Sequence, residues 1–197
     1  MKNILAVSVL ISGLASYSVA AQEATPNTGR NVLSVSPVQM SERTPTGIGM
    51  QYERFIGSND RISLCLPLAY SFGHSDPCDP TIRARVFYAY PGVKFYPFGT
   101  QHMISYAVGP SLAFGKGTTN CDCTEPVQNI GDEKPKTCKP VTEMGALINN
   151  SISLQATAHV YVSGEIGIGA TYLNKENGQD LGTDLMLQLN VRVGYRF

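Results

Sequence analysis

The chain has 197 residues, with 15 basic side chains against 15 acidic ones, a formal net charge of +0 and only 15% charged residues, well below the ~25% usual in soluble proteins. That length suits one domain and leaves no room for a second of ordinary size, and the neutral balance gives no basis for nucleic acid as a partner. Ten tyrosines and no tryptophan leave tyrosine as the residue for any interfacial aromatic belt.

Lys2, the apolar stretch 4–15 and the small residues Ser18-Val-Ala-Ala21 predict a secretory signal over 1–21, removed from the mature protein. The cut site has no cysteine, which argues against a lipoprotein anchor, and no later run reaches the ~18 apolar residues of a spanning helix. Strands must therefore hold any membrane-embedded part. Residues 22–30 read as a flexible periplasmic leader, and 31–197 as a single β-barrel domain.

About eight alternating segments follow in chain order: 31–40, 47–56, 61–72, 85–98, 103–115, 142–154, 159–173 and 185–197. In the third, Ile62, Leu64, Leu66, Leu68, Tyr70 and Phe72 share one face, and small or weakly polar residues the other. The fifth opposes Ile104, Tyr106, Val108, Pro110, Leu112 and Phe114 to Ser105, Ala107, Gly109, Ser111, Ala113 and Gly115. A soluble carrier barrel turns its apolar side inward and covers its outside with charge; a minor face of small residues suits the crowded lumen of a narrow membrane barrel. The last segment alternates over thirteen residues and ends on an aromatic carboxy terminus. At ~3.3 Å per residue and a steep tilt, it spans the ~30 Å of a bilayer core.

Connections alternate in length: 57–60, 99–102 and 155–158 are tight, whereas 73–84, 116–141 and 174–182 are longer. Tight periplasmic turns and long outer loops on an even strand count predict an all-β, closed antiparallel transmembrane barrel in an up-and-down meander. Pro67, Pro91 and Pro110 fall inside expected strands, and a closed barrel has no edge at which a missing donor is harmless, so bulges are expected there.

Segments such as Lys94-Phe-Tyr-Pro97, Tyr106-Ala-Val-Gly-Pro-Ser111, Tyr172-Leu-Asn-Lys-Glu176 and Val193-Gly-Tyr-Arg-Phe197 make nearly the whole mature chain resemble the small eight-stranded outer-membrane β-barrels, whose architecture OmpA's membrane domain, OmpX and OmpW share. The resemblance implies residence in the bacterial outer membrane among its lipids. It also implies that Leu189, Val191, Val193, Tyr195 and Phe197 form the signal read by the outer-membrane barrel assembly machinery. Architecture says little about activity.

Four charged residues sit on expected inward faces, each about four to six residues above the periplasmic end of its strand: Glu53, Lys94, Glu165 and Arg192. Eight strands leave an interior only wide enough for side chains, so two acids and two bases should share one layer and pair. They form either a static polar plug or a gate whose pairs exchange to admit ions, a reading that resemblance to OmpA-like lumens also suggests. Cys78, Cys121, Cys123 and Cys138 fall in outer loops, where an oxidising route favours disulfides from the 121/123 pair to Cys138 and Cys78. Cys65 faces the lumen as a free thiol. Metal binding by the loop cysteines lacks both the usual spacing and a nearby histidine.

No cofactor and no catalytic residue is expected. His74 lies in an outer loop beside Ser75, whereas His102 and His159 lie at periplasmic turns, so no nucleophile, base and acid converge at one rim. The polar loop 116–141 is either a surface that meets an extracellular ligand or a variable tip. The leading expectation is an integral outer-membrane barrel of structural or surface-interaction type; a narrow channel for ions or small solutes is the alternative, with an outer-membrane hydrolase and a soluble carrier as minor ones.

Overall fold

The structure is a computed structural model that describes residues 29–41, 44–57, 60–72, 85–118 and 139–197. The expected signal and leader up to residue 28, the four loop cysteines, His74, Ser75 and the centre of the long third loop lie outside the described residues. The described residues form ten strands: β1 Asn31–Ser41, β2 Thr44–Ile56, β3 Ile62–Phe72, β4 Arg85–Ala89, β5 Gly92–Phe95, β6 Ile104–Thr118, β7 Pro140–Gln155, β8 Val160–Glu176, β9 Gln179–Asp180 and β10 Asp184–Arg196. β4 and β5 are two halves of one wall strand, because both pair β3 in a single register, Leu68 opposite Ala89 and Cys65 opposite Gly92. β9 only extends the β8 hairpin.

The wall is therefore eight strands, each antiparallel to its neighbours, and it closes where β10 pairs both β8 and β1. The closing seam is clasped by Asn31 and Phe197, each amide donating to the other's carbonyl at 3.0 and 2.8 Å. Closure leaves no unpaired edge, which a strand structure in hydrocarbon requires. The alternation then sorts side chains by face. Leu64, Ile148, Ile166, Ile168 and the assembly-signal residues Leu189, Val191, Val193, Tyr195 and Phe197 stand exposed on the outer wall, while Ser34, Gln51, Glu53, Ser63, Glu165, Asn190 and Arg192 are buried within. Among the described residues no helix is long and apolar enough to cross a membrane.

Strand ends differ from expectation at three outer connections. β2 begins at Thr44, so most of the connection expected over 41–46 is strand. β6 and β7 take up both flanks of the long third loop, reaching Thr118 and starting again at Pro140. The outer loop expected over 174–182 is largely a two-residue hairpin at Asn177-Gly178, whose φ values of 50° and 81° are those for which Asn-Gly is selected.

The prolines correct a second expectation. Register runs unbroken through Pro67, opposite Gln51, and through Pro110, opposite Ile148. It also runs through Pro91, since β4 and β5 meet β6 in one register. The register shifts lie elsewhere, around Pro37 between Val35 and Val38 of β1, again between Gln39 and Ser41 against β2, and between Met144 and Gly145 where β7 pairs β8. What the three inner prolines share is strand four. The Tyr90 amide donates to the Pro67 carbonyl at 2.8 Å and the Leu112 amide to the Pro91 carbonyl at 2.9 Å, yet neither proline can return a bond, and Pro110 falls opposite Val93 in the same register. The ladder is thinned on both sides of residues 90–93, which is where the strand is interrupted.

Hydrogen exchange on the folded barrel is expected to show the Tyr90 and Leu112 amides opening about fivefold to tenfold faster than amides midway along the β7–β8 seam, the effect of about one missing bond per pair. Equal protection along both seams would contradict it.

Candidate functional site

The lumen is filled in layers, and the charged layer is central. Glu165 of β8 is 1% exposed and accepts from both bases. Lys94 Nζ lies 2.6 Å from Oε2, and Arg192 donates through Nη1 at 2.9 Å and Nη2 at 2.5 Å to the two oxygens. Arg192 comes from the adjacent β10, which also places Asn190 Nδ2 at 3.5 Å from Oε1. Lys94 comes from β5, the third strand round the wall from β8, so its ammonium crosses the lumen. A carboxylate has lone pairs enough for two cations, and the fork of an arginine engages both oxygens at once.

Glu53 shares the layer but not the pairing. It accepts from Gln51 Nε2 at 3.0 Å, Ser63 Oγ at 2.5 Å and Tyr96 Oη at 2.6 Å. The expectation of two acids pairing with two bases is thus corrected: both bases join Glu165, and Glu53 is satisfied by neutral donors. Those donors stand on its own or nearby strands, with Ser63 in turn opposite Lys94 in the β3–β5 register. Cys65, the register partner of Glu53, is the expected free and buried thiol.

Apolar layers lie on either side. Towards the tight turns, Val32, Phe55, Tyr96 and Ala107 cluster with Tyr161 against them. Towards the long loops, Ala69, Val86, Tyr88, Tyr90, Ala113, Leu147 and Met186 cluster. The Tyr88 and Tyr90 rings stack at 5.6 Å, and Tyr88 Oη donates to Glu143 at 2.8 Å. Buried amides line the inner wall as well: Asn149 donates to Ser111 at 2.7 Å, whereas both polar side-chain atoms of Gln188 and the Oδ1 of Asn190 find no protein partner.

At the tight-turn end a cavity of about 40 Å³ opens, with room for a few waters. Glu53, Tyr96, Tyr161 and Arg196 line it, but Lys94, Glu165 and Arg192 do not. Arg196 seals its side by pairing with Asp60 at 2.6 Å, bonding Thr100 at 2.9 Å and lying 4.3 Å over the Phe55 ring. His159 sits at this mouth with Nδ1 at 3.0 Å from the Arg196 carbonyl.

Arg196 and Glu143 are inward charges that the sequence reading missed. Arg196 was within reach of it, two steps beyond Arg192 on the same alternating face. Glu143 was obscured because Asn149 and Asn150 are adjacent and only Asn149 faces in; Asn150 faces out and accepts from Tyr106 Oη at 2.7 Å.

An apolar outer wall, a closed ladder and a polar packed interior define this chain as a closed antiparallel transmembrane β-barrel of eight strands. Solved structures with the same fold are small outer-membrane barrels. The N-terminal β-barrel domain of OprF from Pseudomonas aeruginosa is similar at TM-score 0.53 and 16% identity, over 86% of this chain and 100% of that one. Neisserial surface protein A is similar at 0.53 and 12%, over 86% and 98%. Ail, the attachment invasion locus protein of Yersinia pestis, is similar at 0.52 and 9%, over 86% and 99%. No protein-family model matches the sequence, and no curated protein matches it. At these identities the likeness is one of fold.

Proposed function

We propose that this chain is an integral protein of the bacterial outer membrane, with its tight turns in the periplasm and a plugged lumen, and that its role is structural or surface-interacting, holding the 116–141 loop outward. The observation that carries this reading is the filling of the lumen: an ion layer bridged from wall to wall by Lys94 and Glu165 lies between two apolar layers. An ion would have to displace a paired, buried lysine and then pass stacked tyrosines. Names of similar folds point the same way, since one is called a surface protein and another an attachment protein.

A narrow channel is the second reading. It is favoured by Glu53, a second carboxylate in the ion layer that holds no cation, and by the free amide atoms of Gln188 and Asn190. Planar-bilayer recording separates the two. The plug reading expects near-zero currents from the wild type and from Lys94→Ala alike; steady currents in the wild type, or their appearance in Lys94→Ala, would replace the plug by a gate.

A further inference from the structure

We propose that the tight-turn rim of β1 and β2 carries a binding site for the phosphate of an anionic lipid headgroup, formed by Arg54 and Asn31. This rests on the membrane reading above.

Arg54 points to the lipid side of the wall, between Tyr52 and Ile56 on the same face of β2, two residues before that strand ends. Its register partners are Asn31 of β1 and Leu64 of β3. A guanidinium on an outer wall of hydrocarbon-facing residues needs an anion, and its stem is long enough to lift the head to the level of lipid phosphates. Among the described residues Arg54 has no anionic partner: it stands exposed at this end of the wall and makes no ion pair. The nearby Asp60 is taken by Arg196. The carboxy-terminal residue Phe197 is bound at the neighbouring seam, where its backbone oxygen accepts the Asn31 amide at 3.0 Å.

The second feature is Asn31. Tyr52 Oη donates to its Oδ1 at 2.8 Å, on the exposed side of the wall. That bond occupies the acceptor end of the amide and leaves the two N–H groups of Nδ2 to face outward beside Arg54. The pair then offers donors: a guanidinium and an oriented amide. Such a set selects a group that only accepts, and the planar fork of arginine matches the geometry of phosphate oxygens. With an unpaired cation, it prefers a headgroup of net negative charge over a zwitterionic one, whose own cation competes for the phosphate.

The test uses the full barrel in nanodiscs of mixed phosphatidylglycerol and phosphatidylcholine, released into native mass spectrometry, with cold and boiled gel mobility confirming that each variant is folded. The wild type is expected to retain phosphatidylglycerol about tenfold over phosphatidylcholine, the scale of one charge-assisted hydrogen-bonded contact. Arg54→Leu is expected to fall to parity, Arg54→Lys to lie between, and Arg85→Leu, at the opposite rim, to match the wild type. Insertion without a phosphatidylglycerol preference, or equal retention by Arg54→Leu, overturns the site alone. Loss of the lipid adduct to added inorganic phosphate overturns the lipid assignment in favour of a soluble anion. Failure of the wild type to insert overturns the membrane reading and the site with it.

Discussion

Replacing Glu165 by leucine is expected to cost about 3–5 kcal/mol of folding free energy, the penalty of leaving buried charge without its partner. The substitution strands two cations at once, since Lys94 and Arg192 both bond this carboxylate and each is at most 5% exposed. Lys94→Met is the control. It leaves the two-pronged Arg192–Glu165 pair intact and locally neutral, and should cost no more than about 2 kcal/mol, the scale of one charged hydrogen bond. Urea titration read by gel mobility measures both. The triple variant Glu165→Leu, Lys94→Met, Arg192→Met should recover much of the loss, because it removes the buried charges together and not one side of them. Equal costs for Glu165→Leu and Lys94→Met would show that the two cations do not depend on one acceptor.

The same contact also acts across the barrel. A bridge from β5 to β8 through one carboxylate ties facing walls together, so the ion layer is a cross-brace. A barrel that loses Glu165 is expected to become easier to unfold.

Much of this was legible in the sequence, for a physical reason. Where lipid lies outside, every second residue must be apolar, and that demand is written without interruption in Leu185 to Phe197 and in the β3 and β6 segments. It located the wall, the inward set Glu53, Lys94, Glu165 and Arg192, and the thiol of Cys65. Partner choice was not legible, because it depends on reach across the lumen. Ser63 and Tyr96 are unremarkable residues until register places their hydroxyls on Glu53. The prolines were misread for a related reason. The cost of proline depends on which neighbour its nitrogen faces, and only pairing shows that Pro67 and Pro91 both withhold donors around one strand. The Pro37 bulge did leave a trace, since the outward series Leu33, Val35 slips phase to Val38, Met40.

Gly109→Ala is expected to be among the most damaging single-methyl changes in the wall, costing about 3 kcal/mol or more because the obstruction is backbone and no side chain is there to turn away. A Cβ at Gly109 would overlap the Val93 carbonyl oxygen, 2.8 Å from its carbonyl carbon and 3.1 Å from Lys94 Cα. The neighbour it would displace is β5, whose ladder already lacks the donor of Pro110, and the residue it would push is the base that crosses to Glu165. Relief by parting β5 from β6 therefore weakens the thinnest seam and withdraws Lys94 from its acceptor together. Gly164 is the matched control, a glycine on the lipid face of β8 where a Cβ meets nothing within 4 Å. Gly164→Ala should move the urea midpoint by no more than about 0.5 kcal/mol. The comparison is made on refolded barrels run cold and boiled on the same gel. If Gly109→Ala keeps the folded band and the midpoint of Gly164→Ala, the close approach of β5 and β6 does not exist and the crossing of Lys94 must be drawn again.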